Sequence, residues 1–159
     1  MIEHSLAHGE IVLLDDCDKD LLVHCFWLSN GYVSGRIEGK FSYLHRLVLE
    51  RVIGRSLLSN ELTDHINGDR MDNRRCNLRL ATDSQNMMNR RKQENTSSPY
   101  IGVVYFANAA KRVKRWKAYI VVNKKQKTVG YFHTAIEAAK ARDEAAKQYY
   151  GEFARLNNV

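Results

Sequence analysis

Disulfides and cysteine-held zinc are the first things this sequence rules out. Its only cysteines are Cys17, Cys25 and Cys76, with no CxxC spacing and an odd thiol left over. Reduced and mostly buried thiols are expected. No apolar run approaches the roughly 20 residues needed to span a bilayer, and no basic segment followed by an apolar one opens the chain. No membrane partner and a cytoplasmic location are therefore expected. There is no internal repeat and no low-complexity tract. Proline occurs once, at Pro99, inside "NRRKQENTSSPY", which is the best linker in the sequence.

Acidic residues are scarce where basic ones gather. The net charge is +7, yet residues 1–44 hold three Lys/Arg against seven Asp/Glu. All of the positive excess lies in residues 45–159, the region that also carries the motifs. A polyanionic partner is the natural reading. At 159 residues and 44% hydrophobic content, the chain has room for one ordinary domain or two small ones.

Short apolar runs, "EIVLL", "LLVHCFW" and "GYVSGRI", alternate with the turn signals "DDCDKD", "SNG" and "EGK". This pattern predicts a strand-rich segment over 1–44. "YLHRLVLERVIG" reads as a short helix with a glycine stop at Gly54. Beyond the linker come two strand-like runs, "RWKAYIVV" and "KTVGYF", and an alanine-rich helix from about Ala135 to Tyr149. The expected class is α+β.

Between them lies "LTDHINGDRMDNRRCNLRLATDSQNMMNRR", rich in side chains that can bind an ion or close a turn and poor in core formers. "TDHI" reads as a strand, "NGD" as a turn with positive φ at Gly68, and "NLRLAT" as the returning strand. Thr82 with Gln85 three residues on is a capping-box signature, so a helix is expected to carry Asn86, Asn89 and Arg90. Such a hairpin backed by a helix brings Asp64 and Asn86 close enough to share one ion, with His65 beside them. A hard divalent ion on a carboxylate and an amide oxygen, completed by water and a substrate phosphate, neutralises charge in phosphodiester hydrolysis. A neutral imidazole can deprotonate the attacking water, which makes His65 the candidate general base. An amide from Asn77 can fix the ring's orientation and tautomer. Asn60, Asn67, Asn73 and Asn89 read as ordinary turn or cap residues.

"DHINGD…DNRRCNLRLAT…QNMMN" resembles the HNH endonuclease family, specifically its phage and intron-encoded homing type, and "YLHRLVL" with Tyr32 in "NGYVSG" is similar to the lead-in of phage members. The resemblance implies a ββα-metal core over residues 45–93 after the strand-rich segment 1–44. It implies His65 as general base, Asn77 as the residue that orients it, and Asp64 with Asn86 as metal ligands. Colicin-type members use histidines where this chain has Asn86 and Arg90, which favours Mg²⁺ or Mn²⁺ over zinc. Arg46, Arg74, Arg79 and Arg90 are the candidate DNA contacts around the motif. His45 reads equally as a phosphate contact or a satisfied structural histidine.

After a linker at 94–99, residues 100–157 follow a different logic. From Lys111 to Lys127 there are eight Lys/Arg and no acid. Trp116, Ala118, Ile120 and Val122 alternate with Arg115, Lys117, Tyr119 and Asn123, so one strand face suits a core and the other a DNA groove. "YIGVVYF…RWKAYIVV…KTVGYFHTAIEAAKARDEAAKQYYGEFARLN" resembles the plant APETALA/ethylene-response-factor DNA-binding domain, which implies a three-stranded antiparallel sheet plus helix and makes Arg115, Lys117 and Tyr119 its DNA contacts. The expectation is a metal-dependent nicking endonuclease acting as a monomer on double-stranded DNA in the cytoplasm of a phage-infected bacterium. The alternative is a noncatalytic DNA-binding regulator that retains the nuclease scaffold.

Overall fold

The computed structural model describes residues 1–92, 94, 96–106 and 113–159, so Lys111 of the basic run lies outside the described residues. The chain divides into two compact units, Met1–Asn86 and Met87–Val159.

The first unit opens with an antiparallel hairpin of β1 (Ile2–Ser5) and β2 (Ile11–Leu14), followed by a 3₁₀ turn at Asp16–Val23. A meander follows, with β3 (Phe26–Ser29), β4 (Tyr32–Ile37) and β5 (Lys40–Tyr43) in that spatial order. Its two-residue turns, Asn30-Gly31 and Glu38-Gly39, have positive φ at both positions, as tight hairpins with right-handed strand twist require. The run "LLVHCFW" is not one strand. Leu21 to Val23 close the 3₁₀ turn, with Leu21 in the core, and extended structure begins at Phe26.

Helix α1 (Leu44–Ile53) buries Leu44, Val48 and Leu49 on one stripe and stops at Gly54, whose φ of 71° is the left-handed conformation that ends helices. Next come the hairpin of β6 (Leu62–His65) with β7 (Leu78–Ala81) and the short helix α2 (Asp83–Met88). The capping box is made: the Thr82 N–H donates to Gln85 Oε1 at 2.8 Å, and the Gln85 N–H donates to Thr82 Oγ1 at 3.3 Å. Even so, α2 buries none of its side chains fully and ends at Met88, which packs half-buried beside Ile120 and Ala146; a six-residue helix with so little packing has little to extend it. Asn89 and Arg90, expected on the helix, therefore lie beyond it.

One core joins the strand-rich lead-in to the central motif. Leu6, Val12, Leu14, Leu21, Phe26 and Val33 pack with Leu44, Val48, Leu49, Leu57 and Leu78. Residues 1–44 are thus part of this unit rather than a separate one. Polar links reinforce the junction. The Leu13 N–H donates to the Met71 carbonyl and the Asn73 N–H to the Leu13 carbonyl, both at 2.9 Å. The fully buried Asp18 accepts from Arg75 at 2.7 and 2.9 Å. All three cysteines are exposed, against the expectation of burial, because each sits in a turn or loop next to an element rather than on its inner face.

The second unit is a three-stranded antiparallel sheet in the order β10-β9-β8, built from β8 (Val103–Tyr105), β9 (Trp116–Val122) and β10 (Lys125–Phe132), and covered by α3 (Ala135–Tyr150). The alternation on β9 appears as expected. Ala118 and Ile120 are buried, and Trp116 and Val122 pack beside them, against Ala138, Ala139 and Ala146 of the helix. Gly102 is required where it stands: its φ is +69°, and a Cβ there would lie 2.5 Å from the Tyr119 carbonyl oxygen. Asn157 clamps the end of the chain, its Nδ2 donating to Asp143 Oδ1 at 2.9 Å and its Oδ1 accepting from the Ile101 N–H at 2.6 Å. Ser98, read as linker, is buried and its Oγ accepts from the Tyr100 N–H, so structure of this unit begins before residue 100. Among the described residues, no helix is long and apolar enough to cross a membrane.

Candidate active site

Asp64 and His65 end β6, facing Arg79 and Leu78 across the hairpin. Successive strand residues point to opposite faces, yet here both are buried, Asp64 at 4% and His65 at 5% exposure. The long loop between the strands supplies the second wall, and asparagines hold it. Asn77 Oδ1 accepts from the Asn67 N–H at 2.9 Å, and Asn77 Nδ2 donates to the Asp72 carbonyl at 2.8 Å. Its amide ties the two ends of the loop and acts on His65 through that loop. The ring itself meets Asn73, whose Oδ1 lies 3.4 Å from His65 Nε2. Asn73 is fully buried, and its Nδ2 donates to the carbonyls of Arg70 and Met71, which turns the amide oxygen toward the ring. In a neutral imidazole that contact puts the proton on Nε2 and the lone pair on Nδ1. Composition gave Asn73 away only as a turn residue; its role depends on the Leu13 backbone pairing, which no local pattern encodes.

Electrostatics favour the base form of His65. Burial holds its pKa below the ordinary value, while Asn73 and the carboxylates of Asp64, Asp69 and Asp72 pull the other way. Aromatic side chains enclose it. His45 meets its ring edge-on at 5.2 Å between centroids, and Tyr32 lies at 6.3 Å. His45 itself is buried between Tyr32 and Tyr43, with its pKa pushed down to about 3 by burial first and then by the charges of His65, Arg46 and Arg70. It is a neutral packing partner of His65, and its Nδ1 has no hydrogen-bond partner among the described residues. Tyr32 is thus a wall of this site, contributed by the lead-in strands.

Most of the arginines expected at DNA are engaged elsewhere. Arg79 Nε and Nη2 both donate to Asp64 Oδ2, at 2.8 and 2.7 Å, and its side chain is 13% exposed. Arg74 grips Asp72 through two 2.7 Å bonds. Arg46 donates to Glu50 and to the Leu57 carbonyl, securing the segment after α1. In the second unit, Arg90 is exposed, Arg115 Nη1 donates to Tyr105 Oη at 3.4 Å, and Lys117 lies over the Tyr119 ring at 6.0 Å. Lys117 and Tyr119 alternate with the buried Ala118 and Ile120, so they sit on the sheet face away from α3.

The donor set suits a hard divalent cation. Asp64 offers a carboxylate and Asn86, half-buried on α2, an amide oxygen; among the described residues no three His, Cys, Asp or Glu gather as an all-protein cage. A carboxylate and an amide oxygen are donor types that a hard divalent ion takes together with water and a phosphate.

Residues 42–88, which span α1, the Asp64-His65 hairpin and α2, match the HNH endonuclease family. A relative, an uncharacterized HNH endonuclease of Acanthamoeba polyphaga mimivirus, is 31% identical over 130 residues, covering 82% of this chain. The chain in turn covers 64% of that relative's length. No solved structure matches the chain.

Proposed function

We propose that the protein is a metal-dependent DNA endonuclease that nicks one strand, with the first unit cutting and the second holding DNA. The observation that carries this reading is the buried Asp64-His65 pair, in an HNH domain, with His65 kept in its base form by burial and steered by a loop that Asn73 and Asn77 hold in place. His65 takes a proton from a water whose oxygen attacks phosphorus, and the bond from phosphorus to one sugar oxygen breaks as that oxygen leaves. Asp64 and Asn86 would hold Mg²⁺ or Mn²⁺, which supplies charge neutralisation at the phosphorane and the leaving oxygen. Arg79 keeps the Asp64 carboxylate in one orientation. One site per chain favours a nick over a double-strand cut, by a monomer on double-stranded DNA.

The second unit supports DNA binding by its architecture: a three-stranded sheet with one face sealed by α3 and Lys117 and Tyr119 on the other, as in the APETALA/ethylene-response-factor resemblance. A noncatalytic regulator remains the competing reading, and one experiment separates them. Supercoiled plasmid incubated with the full chain and Mg²⁺ is expected to be nicked, excess EDTA to abolish nicking, and His65→Ala to slow it by about 10²-fold or more. Nicking that survives EDTA, or a His65→Ala protein as active as wild type, refutes the assignment.

A further inference from the structure

We propose that Arg70, presented by Tyr32 and the Asn30-Gly31 turn, binds the phosphate that is cleaved; this rests on the nuclease reading above. The span from Leu44 to Asn86 contains no lysine and seven arginines. Six of these are matched to carboxylates: Arg46 to Glu50, Arg51 to Asp20, Arg55 to Glu61, Arg74 to Asp72, Arg75 to Asp18 and Arg79 to Asp64. Arg70 alone in that span has no carboxylate partner among the described residues. A site that must gather a phosphodiester therefore has one uncommitted cation to do it with.

Arg70 is held in place rather than left loose. Its Cζ lies 4.1 Å from the centroid of the Tyr32 ring, and Nη1 donates to the Asn30 carbonyl at 3.2 Å. Tyr32 is the same ring that walls His65 and His45, so the guanidinium is fixed to the wall of the pocket holding the base. Gly31 makes the approach possible, since a Cβ there would stand 2.8 Å from Arg70 Nη1. One donor is used on Asn30 and the side chain is exposed, which leaves a planar fork of N–H groups matched to phosphate oxygens. Stacking on an aromatic face restrains the long side chain before DNA arrives, which lowers the entropy cost of binding. The loop from Asn67 to Asn77 thus contributes both the residue that steers the base, Asn73, and the residue that receives the anion. The lead-in strands enter the chemistry through Tyr32.

An anion contact at the reacting phosphate differs from a groove contact in where its loss is felt. The full chain and its Arg70→Ala, Arg70→Lys, Tyr32→Leu and Arg70→Ala/Tyr32→Leu variants would be compared in single-turnover nicking at saturating DNA with Mg²⁺. Arg70→Ala is expected to slow cleavage about 10²-fold, as loss of one donor to a developing charge does. Arg70→Lys should recover part of the rate, because it restores charge without the fork. Tyr32→Leu should lose about 10-fold in the wild-type background and almost nothing further when Arg70 is already Ala, the mark of a residue acting through Arg70. In parallel, Arg70→Ala placed on the His65→Ala protein should lower the slope of log affinity against log salt by about one unit. If His65→Ala is inactive while Arg70→Ala cleaves at the wild-type rate, the Arg70 role is overturned and the nuclease reading stands. If wild type does not nick, the nuclease reading fails, and Arg70 as anchor of the cleaved phosphate fails with it.

Discussion

Replacing Asp18 by Asn is expected to destabilise the first unit by about 2 kcal/mol, a value set by what its removal strands. Asp18 is fully buried, accepts two bonds from Arg75 at 2.7 and 2.9 Å, and takes a third from Arg51 at 3.4 Å. Breaking a buried ion pair by removing one partner costs roughly 3–5 kcal/mol when the remaining charge has nowhere to go. Here both arginines keep an outlet: their side chains are 39% and 36% exposed, and Arg51 retains Asp20 at 2.7 Å. Partial rehydration places the cost below the usual range. In a domain of this size each kcal/mol moves Tm by about 4–8 °C, so a drop of about 8–16 °C is expected at pH 7.

The pH dependence gives a sharper test. The Arg75 bonds hold the Asp18 carboxyl below its usual pKa in the folded chain, with Arg51 adding to the effect. A depressed folded pKa contributes stability that is complete above the unfolded value, about 3.9, and is lost as pH falls through the lower folded one. The Tm gap between wild type and Asp18→Asn should therefore hold constant from about pH 7 to 5 and narrow below about pH 4. Thermal melts of both proteins, with Trp27 as the fluorescent reporter in a Trp116→Phe background, would measure it. A gap under 2 °C at neutral pH, or one that widens with acid, would refute the reasoning.

Two further outcomes test residues whose roles the fold redistributes. Arg79→Gln should change the Mg²⁺ concentration needed for half-maximal nicking while leaving the salt dependence of DNA binding as it is, since Arg79 is committed to Asp64; a salt slope smaller by about one unit would mean that it meets phosphate after all. Removing Lys117 or Tyr119 should cost about 1–3 kcal/mol on a preferred duplex and less on a scrambled one if either touches a base edge. Equal losses on both duplexes, measured by titration over a salt series, would reduce the sheet to an electrostatic anchor.

What could be read from the chain depended on whether the signal was local. The turn at Gly68, the glycine stop at Gly54, the Thr82 capping box and the inward run of Ala118 and Ile120 each depend on residues within a few positions, and all form as their chemistry dictates. The Asp64-His65 pair was equally legible as the end of a strand before a turn, and it stands there. Partnership across the fold was not visible. Nothing near Asn73 in sequence distinguishes it from Asn67; the pairing of its N–H with the Leu13 carbonyl, with its side-chain bonds to the Arg70 and Met71 carbonyls, holds it beside His65. Tyr32 stands 33 positions before His65, and the strand register brings the two rings together. The length of α2 was overread for the opposite reason: a strong cap starts a helix, but packing decides how far it runs.

Charge is where counting along the sequence misleads most, and the arginines show why. The acidic lead-in looks like a segment that DNA would repel, yet Asp15, Asp18 and Asp20 are spent on groups of the central motif and helix α1: Asp15 on the Arg75 N–H, Asp18 on Arg75, Asp20 on Arg51. The motif's own acids, Asp64 and Asp72, absorb Arg79 and Arg74. Each pairing with a guanidinium removes a cation from the count available to phosphate and converts it into a strut between elements. Long-range attraction depends on the summed field, which pairing leaves unchanged, whereas a contact with a phosphate oxygen needs an uncommitted N–H. By the second measure the span from Leu44 to Asn86 offers DNA one cation without a carboxylate partner among the described residues, Arg70, beside the Tyr32 ring that walls His65. It follows that affinity should be dominated by the lysine-rich second unit and cleavage rate by a few groups around His65, so variants in the two units should separate cleanly into those that shift Kd and those that shift the rate at saturating DNA.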